Sequence, residues 1–185
     1  MTTDIKIPII KKNVKPINLL NLKWVGFDVD GVMTDGGIIL NDLGEESKRF
    51  HSRDGHGLKM LARAGLSIGI ITGRQSQVVA LRAKELGLTD PRQGSTDKLA
   101  TYLEILEEKG LKPEETAFAG DDLVDLPVLR RVGLAMAPAD ACPEALAAAH
   151  FVSKAKGGHG AVREMVEFIL KGQGLWDDLL ARYYN

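Results

Sequence analysis

One unit recurs along this chain: a helical apolar face, a glycine, a short apolar run, then a polar loop. The apolar runs are Leu22–Phe27, Ser67–Ile71, Thr116–Ala119 and Gly133–Met136, with Phe151–Val152 as a weak fifth. Runs this short suit strands buried on both faces. Between them, Leu58, Leu61 and Ala62, then Val79, Ala83 and Leu86, then Leu99, Tyr102, Leu103 and Leu106 repeat at helical spacing. Gly65, Gly87 and Gly110 follow these three helices where a left-handed cap is expected. The arrangement implies an α/β fold with crossover connections and a mostly parallel central sheet. Pro143–Ala149 is expected as a short helix and Ala161–Leu170 as the last one, followed by a tail over about 171–185. The first twenty residues, broken by Pro8 and Pro16, leave room for one short helix or edge segment.

At 185 residues the chain fits a single domain, 1–185. Twenty glycines without a three-residue period exclude a collagen-like chain. Lys and Arg number 24 against 25 Asp and Glu, for a net charge of -1, which disfavours a nucleic-acid partner. The one cysteine, Cys142, excludes an internal disulfide framework and a cysteine-rich zinc site. Neither a secretory signal nor a membrane span is apparent, so a soluble cytoplasmic protein is expected.

The rhythm breaks between Asp28 and Asp54, where no helical period exists. Met33–Leu40, a turn at Asn41–Gly44 and a return over Glu46–His51 predict a β-hairpin insertion at about 33–51. It is either a plain surface hairpin or an interface. Apolar Ile38–Leu40 need cover, and a partner subunit is the simplest cover.

Three strand ends carry the chemistry. DVDGVMTDG, Asp28 through Gly36, sets two carboxylates two residues apart at a strand mouth. Such a pair repels unless a cation or proton sits between, and Mg²⁺ binds through few carboxylates plus water and phosphate oxygens. In ITGR, Thr72 fits either a phosphate contact or an ordinary helix cap, and Arg74 either a substrate anion or solvent. FAGDDLVDLP places Asp121, Asp122 and Asp125 where open α/β sheets hold ligands, although Asp122 or Asp125 could simply cap the next helix. Lys98, in GSTDK, could offset a bound phosphate or be a solvated lysine. Dinucleotide and P-loop fingerprints are absent, and four histidines show no paired metal-ligand spacing. The GGHG run at Gly157–Gly160 reads as a flexible loop.

Taken in order, DVDGVMTDG, RDGHGLKML, ITGR, QGSTDK, AGDDLVDLPVL and GGHGAVREMVEFIL resemble the haloacid-dehalogenase-superfamily phosphatases over about Leu22–Leu170. More closely, the chain is similar to the 3-deoxy-D-manno-octulosonate 8-phosphate phosphatases, a family of lipopolysaccharide biosynthesis. The resemblance implies a Rossmann-like fold with a small hairpin insertion and no large cap domain. It implies Mg²⁺-dependent hydrolysis of that eight-carbon sugar acid phosphate through an aspartyl phosphate. Asp28 would be the nucleophile and Asp30 the general acid/base, both contributing to Mg²⁺ with Asp121. Thr72 and Lys98 would hold the phosphoryl oxygens, with Asp122 and Asp125 in support. Arg74, Arg53 and His56 would be candidates for the sugar acid. A homotetramer is implied as well, with the hairpin at its core and Arg182–Asn185 approaching a neighbour's site. Two other readings stand beside this one: a phosphatase of a nine-carbon acid 9-phosphate, and a non-catalytic regulatory subunit on the same frame.

Overall fold

The computed structural model describes residues 18–88 and 91–184. Most of the expected lead-in, and Asn185 of the tail, lie outside those residues. A 3₁₀ turn at Leu19–Asn21 delivers the chain to β1 (Trp24–Phe27). The hairpin follows, as β2 (Ile39–Leu40) and β3 (Glu46–Ser47), and then α1 (Ser52–Arg63) and β4 (Ser67–Ile71). Next come α2 (Gln77–Leu86), β5 (Pro91–Arg92), α3 (Lys98–Lys109) and β6 (Thr116–Ala119). The chain finishes with α4 (Leu126–Leu129), β7 (Leu134–Ala137), α5 (Pro143–Ala148), β8 (Phe151–Val152), α6 (Ala161–Gly172) and α7 (Trp176–Ala181).

Six strands form one parallel sheet in the order β5-β4-β1-β6-β7-β8. The expected α/β architecture is therefore present. From β1 the chain first builds outward through β4 to β5, then crosses back to place β6 on the other side of β1. The strand order reverses at β1, and open sheets bind ligands at the carboxyl end of such a point. Phe27 is the last residue of β1, so Asp28 stands at that mouth.

Strand alternation sends Val25 and Phe27 to one face and Trp24 to the other. The first face packs against α1, α2 and α6 through Leu58, Leu61, Val79, Ala83, Met165 and Val166, among others. The second packs against α3, α4 and α5 through Tyr102, Ile105, Val128 and Ala145. Trp24 is fully buried and its ring is 6.1 Å from that of Tyr102. Its indole lies flat over Gly26 and Gly69, where any Cβ would collide with the ring. Burying a ring of this size removes on the order of 200 Å² from water. That is about 5 kcal/mol at about 25 cal/mol per Å², as an upper bound.

Three elements differ from the sequence expectation. β5 is a two-residue edge strand that starts on Pro91, too short for a periodic signal and allowed at an edge where proline needs no ladder partner. α7 replaces the front of the expected tail, because Trp176 and Leu179 pack half-buried against the core. The hairpin return is two residues long, not six. Its turn is where it was expected: Asn41 Oδ1 accepts from the amides of Leu43 (3.0 Å) and Glu45 (2.9 Å). No helix among the described residues is long and apolar enough to cross a membrane.

Candidate active site

The polar ends of β1, β4 and β6, with the start of α3, line one cavity of about 520 Å³. Asp28, Asp30, Thr72, Arg74, Lys98, Asp121 and Asp122 all border it.

Asp28 extends the sheet by one bond, its amide donating to the Ala119 carbonyl at 2.9 Å. The chain then coils tightly: the Val29 carbonyl accepts from the amides of Val32, Met33 and Thr34. Gly31 makes the coil possible. Its φ is +89°, and a Cβ there would fall onto the Asp121 carboxylate.

Lys98 opens α3, behind an Asp97 cap that accepts from Leu99 and Ala100. Its side chain is buried, not solvated, with Nζ 2.8 Å from Asp28 Oδ2 and 2.7 Å from Asp125 Oδ1. Asp125 is fully buried, and its other oxygen accepts from the amides of Asp121 (3.0 Å) and Asp122 (3.2 Å). Lys98 is thus oriented by Asp125. Asp122, given a supporting role beside Asp125 on resemblance, is exposed and accepts from the Leu123 amide as a helix cap.

Carboxylate oxygens of Asp28, Asp121 and Asp125 lie within 4.8 Å of one another. Asp121 Oδ1 is buried and has no hydrogen-bond partner. The backbone of Asp121 is pinned on both sides, its carbonyl accepting from the Cys142 amide at 2.8 Å. Burial, helped by the charges of Asp28 and Asp125, raises the Asp121 carboxyl to about 7. Burial and the Asp125 charge likewise raise Asp28 to about 6, against the pull of Lys98. For Lys98, burial works against the charge, but Asp28 and Asp125 outweigh it and the ammonium is held above its usual range. A crowded acidic group with an orphaned buried oxygen fits a divalent cation.

Thr72 is buried in the wall after β4 and does not cap α2; Ser76 does, accepting from the Val79 amide. Asp30 turns its carboxylate toward the hairpin, where it meets Lys48 and, at 3.8 Å, Arg74 Nε. Arg74 also donates to Glu46 Oε1 at 3.1 Å. Arg53 is exposed on α1, and neither it nor His56 lines this chain's cavity. His56 instead meets the Tyr183 hydroxyl at 2.8 Å, in the tail.

Sequence reasoning missed Glu46 and Lys48, which reach the site from β3 and the residue just after it. It also missed the use of the GGHG run. The Gly158 amide donates to the Val32 carbonyl at 3.1 Å, and a Cβ on Gly157 would strike the Gly31 carbonyl. The run is a backbone brace for the Asp28 loop. Asp54 anchors that brace, accepting from the amides of Gly160 (3.3 Å) and Arg163 (2.8 Å).

A profile of haloacid dehalogenase-like hydrolases matches residues 52–133. The 3-deoxy-D-manno-octulosonate 8-phosphate phosphatase of Yersinia pestis is 46% identical over 153 residues, which span 83% of this chain and 82% of that one. The chain belongs to that phosphatase family. The same-named enzyme of Moraxella catarrhalis, solved with a magnesium ion, a phosphate ion and a KDO molecule, superposes with a TM-score of 0.87. It is 39% identical, and the match covers 89% of this chain and 95% of that one. A cobalt-bound form of the Haemophilus influenzae enzyme gives a TM-score of 0.81 at 40% identity, over 84% of this chain and 91% of that one. Family membership makes this protein a phosphomonoesterase of the haloacid dehalogenase-like hydrolases.

Asp125→Ala strips Lys98 of one counter-charge and leaves two amides without an acceptor. It is expected to destabilise the protein by about 3 kcal/mol, read as a lower urea midpoint at unchanged slope.

Proposed function

We propose that this protein hydrolyses 3-deoxy-D-manno-octulosonate 8-phosphate to the free sugar acid and phosphate, with Asp28 as nucleophile. The observation that carries the reading is the buried Asp28–Lys98–Asp125 network facing the unpartnered Asp121 carboxylate across one cavity. The substrate is taken from the relatives' names, supported by identity over most of both chains.

Asp28 attacks phosphorus through a carboxylate oxygen. The bond from phosphorus to the sugar oxygen breaks, and its electron pair leaves with that oxygen. Asp30 supplies the proton that makes it a hydroxyl. Asp30 then takes a proton from a water that attacks the same phosphorus. The aspartyl ester bond breaks, its electron pair returns to Asp28, and phosphate is released. Lys98 and Thr72 hold the phosphoryl oxygens, and the Lys98 ammonium offsets their charge. Asp28 and Asp121, with the Asp30 carbonyl, would hold Mg²⁺. When bound, that ion supplies positive charge against the phosphoryl oxygens and relieves the repulsion among the carboxylates.

We further propose that the chain is a single phosphatase domain whose shallow mouth is closed by other copies in a homotetramer. Four apolar side chains of the hairpin, Ile38, Ile39, Leu40 and Leu43, are exposed within six residues, which supports an interface there.

Asp28→Asn is expected to lower kcat at least about a thousandfold with the melting temperature retained. The wild-type protein is expected to prefer the eight-carbon 8-phosphate over a nine-carbon acid 9-phosphate when phosphate release is compared side by side. A reversed preference would replace the substrate and keep the chemistry.

The raised Asp121 carboxyl gives a sign for pH. It binds its proton more tightly folded than unfolded, so its own contribution to metal-free stability falls as pH rises from the ordinary value of 3.8 to about 7. Mg²⁺ competes with that proton, so its increment to the melting temperature is expected to be largest above about pH 7 and to vanish at acid pH. Equal increments at both ends would remove Asp121 from the metal site. Light scattering is expected to give a tetramer, and Ile39→Lys a smaller species.

A further inference from the structure

We infer that Lys48 is a positioning residue for Asp30, clamping one carboxylate oxygen so that the other faces the leaving group. This rests on the proposed roles of Asp28 and Asp30. A lysine just past a two-residue strand in a surface hairpin would ordinarily extend into water. Here the side chain is only 1% exposed. Its ammonium meets Asp30 Oδ1 and lies 3.2 Å from Glu46 Oε1.

Asp30 Oδ2 is left on the side of Arg74, whose Nε is 3.8 Å away and whose side chain is 45% exposed at the cavity wall. Arg74 in turn donates to the Glu46 oxygen that Lys48 approaches. Two carboxylates and two cations therefore close a ring of alternating charge. Two members, Glu46 and Lys48, come from the hairpin arm. Asp30 follows β1 and Arg74 follows β4.

The inequality within the ring carries the inference. Lys48 is buried and fixed, whereas Arg74 is half-exposed and more weakly engaged with Asp30. The carboxylate is thus gripped from the hairpin side and open on the cavity side. An aspartate at a strand mouth has a freely rotating χ2, and a proton donor turned by even about 1 Å loses much of its advantage. Lys48 removes that rotation. It also couples the hairpin to chemistry: any contact that seats the hairpin seats Asp30 as well.

The sequence alone concealed this. Lys48 lies 18 positions after Asp30, in a segment with neither a motif nor a helical period.

Lys48→Met keeps most of the buried stem and removes the charge. With Mg²⁺ present, phosphate release is measured for Lys48→Met, Lys48→Arg and wild type on two substrates. One is 3-deoxy-D-manno-octulosonate 8-phosphate, whose alkoxide needs a proton to leave. The other is 4-nitrophenyl phosphate, whose phenolate leaves without one. Lys48→Met is expected to lose about 10- to 100-fold in kcat/KM on the sugar phosphate and to stay within about threefold of wild type in kcat/KM on the nitrophenyl ester, because kcat/KM ends at departure of the leaving group and excludes the later water step, in which Asp30 serves both substrates alike. Lys48→Arg is expected to recover most of the loss.

Equal losses in kcat/KM on both substrates, or wild-type values on both, would each overturn the role of Lys48. If Lys48→Met does not fold, as judged by circular dichroism, Lys48→Gln takes its place with the same expected outcomes. Failure of the wild-type protein to hydrolyse either substrate is a separate result, which overturns the proposed function and this inference together.

Discussion

The buried ammonium of Lys98 organises this protein. Lys98 arrives at the head of α3 and is held between Asp28 and Asp125, at 2.8 and 2.7 Å. Three carboxylates converge there from the ends of β1 and β6, and without a central cation their repulsion would drive the loops apart or protonate them. A lysine among such partners keeps its charge despite burial. Asp125, in turn, spends its second oxygen on the amides of Asp121 and Asp122. The Lys98 cation, the backbone of Asp121 and the strand mouth are therefore one hydrogen-bonded unit.

That unit sits where it does because of sheet order. β1 is flanked by β4 and β6, and the helices that follow those two strands leave in different directions. The gap between them is the cavity. The hairpin reaches the cavity through charge: Glu46 and Lys48 pair with Arg74 and Asp30, which line it.

How much of this could be read from the residues depended on range. Asp28, Asp121 and Lys98 stand beside strand ends or at a helix start, so local pattern located them. The buried faces of α1 to α3 followed from spacing in the same way, except that Ala62 and Leu103, expected on those faces, are exposed. Lys48 could not be assigned, and Asp125 gained a supporting role only through the resemblance, because what defines each is a partner far away in sequence. Asp125 looked like a cap, and Lys48 like any hairpin lysine. β5 escaped because two residues carry no period, and α7 because its helix is secured by tertiary packing of Trp176 and Leu179. The GGHG run was the plainest misreading. Its glycines give the backbone room to approach another backbone, and the Gly31 carbonyl that requires the room is invisible in the local sequence.

That last contact has a bearing on how the molecule comes into being. The Asp28 loop is translated well before the loop that braces it, which lies more than 100 residues further along the chain. Contacts of such long sequence separation form late in folding, after their loop-closure entropy has been met by the sheet between them. A nascent chain can thus carry every acidic residue of its site and still lack the rigid backbone that aims them. Competence needs residues 157–160 packed against Gly31, where the Asp28 loop takes its shape.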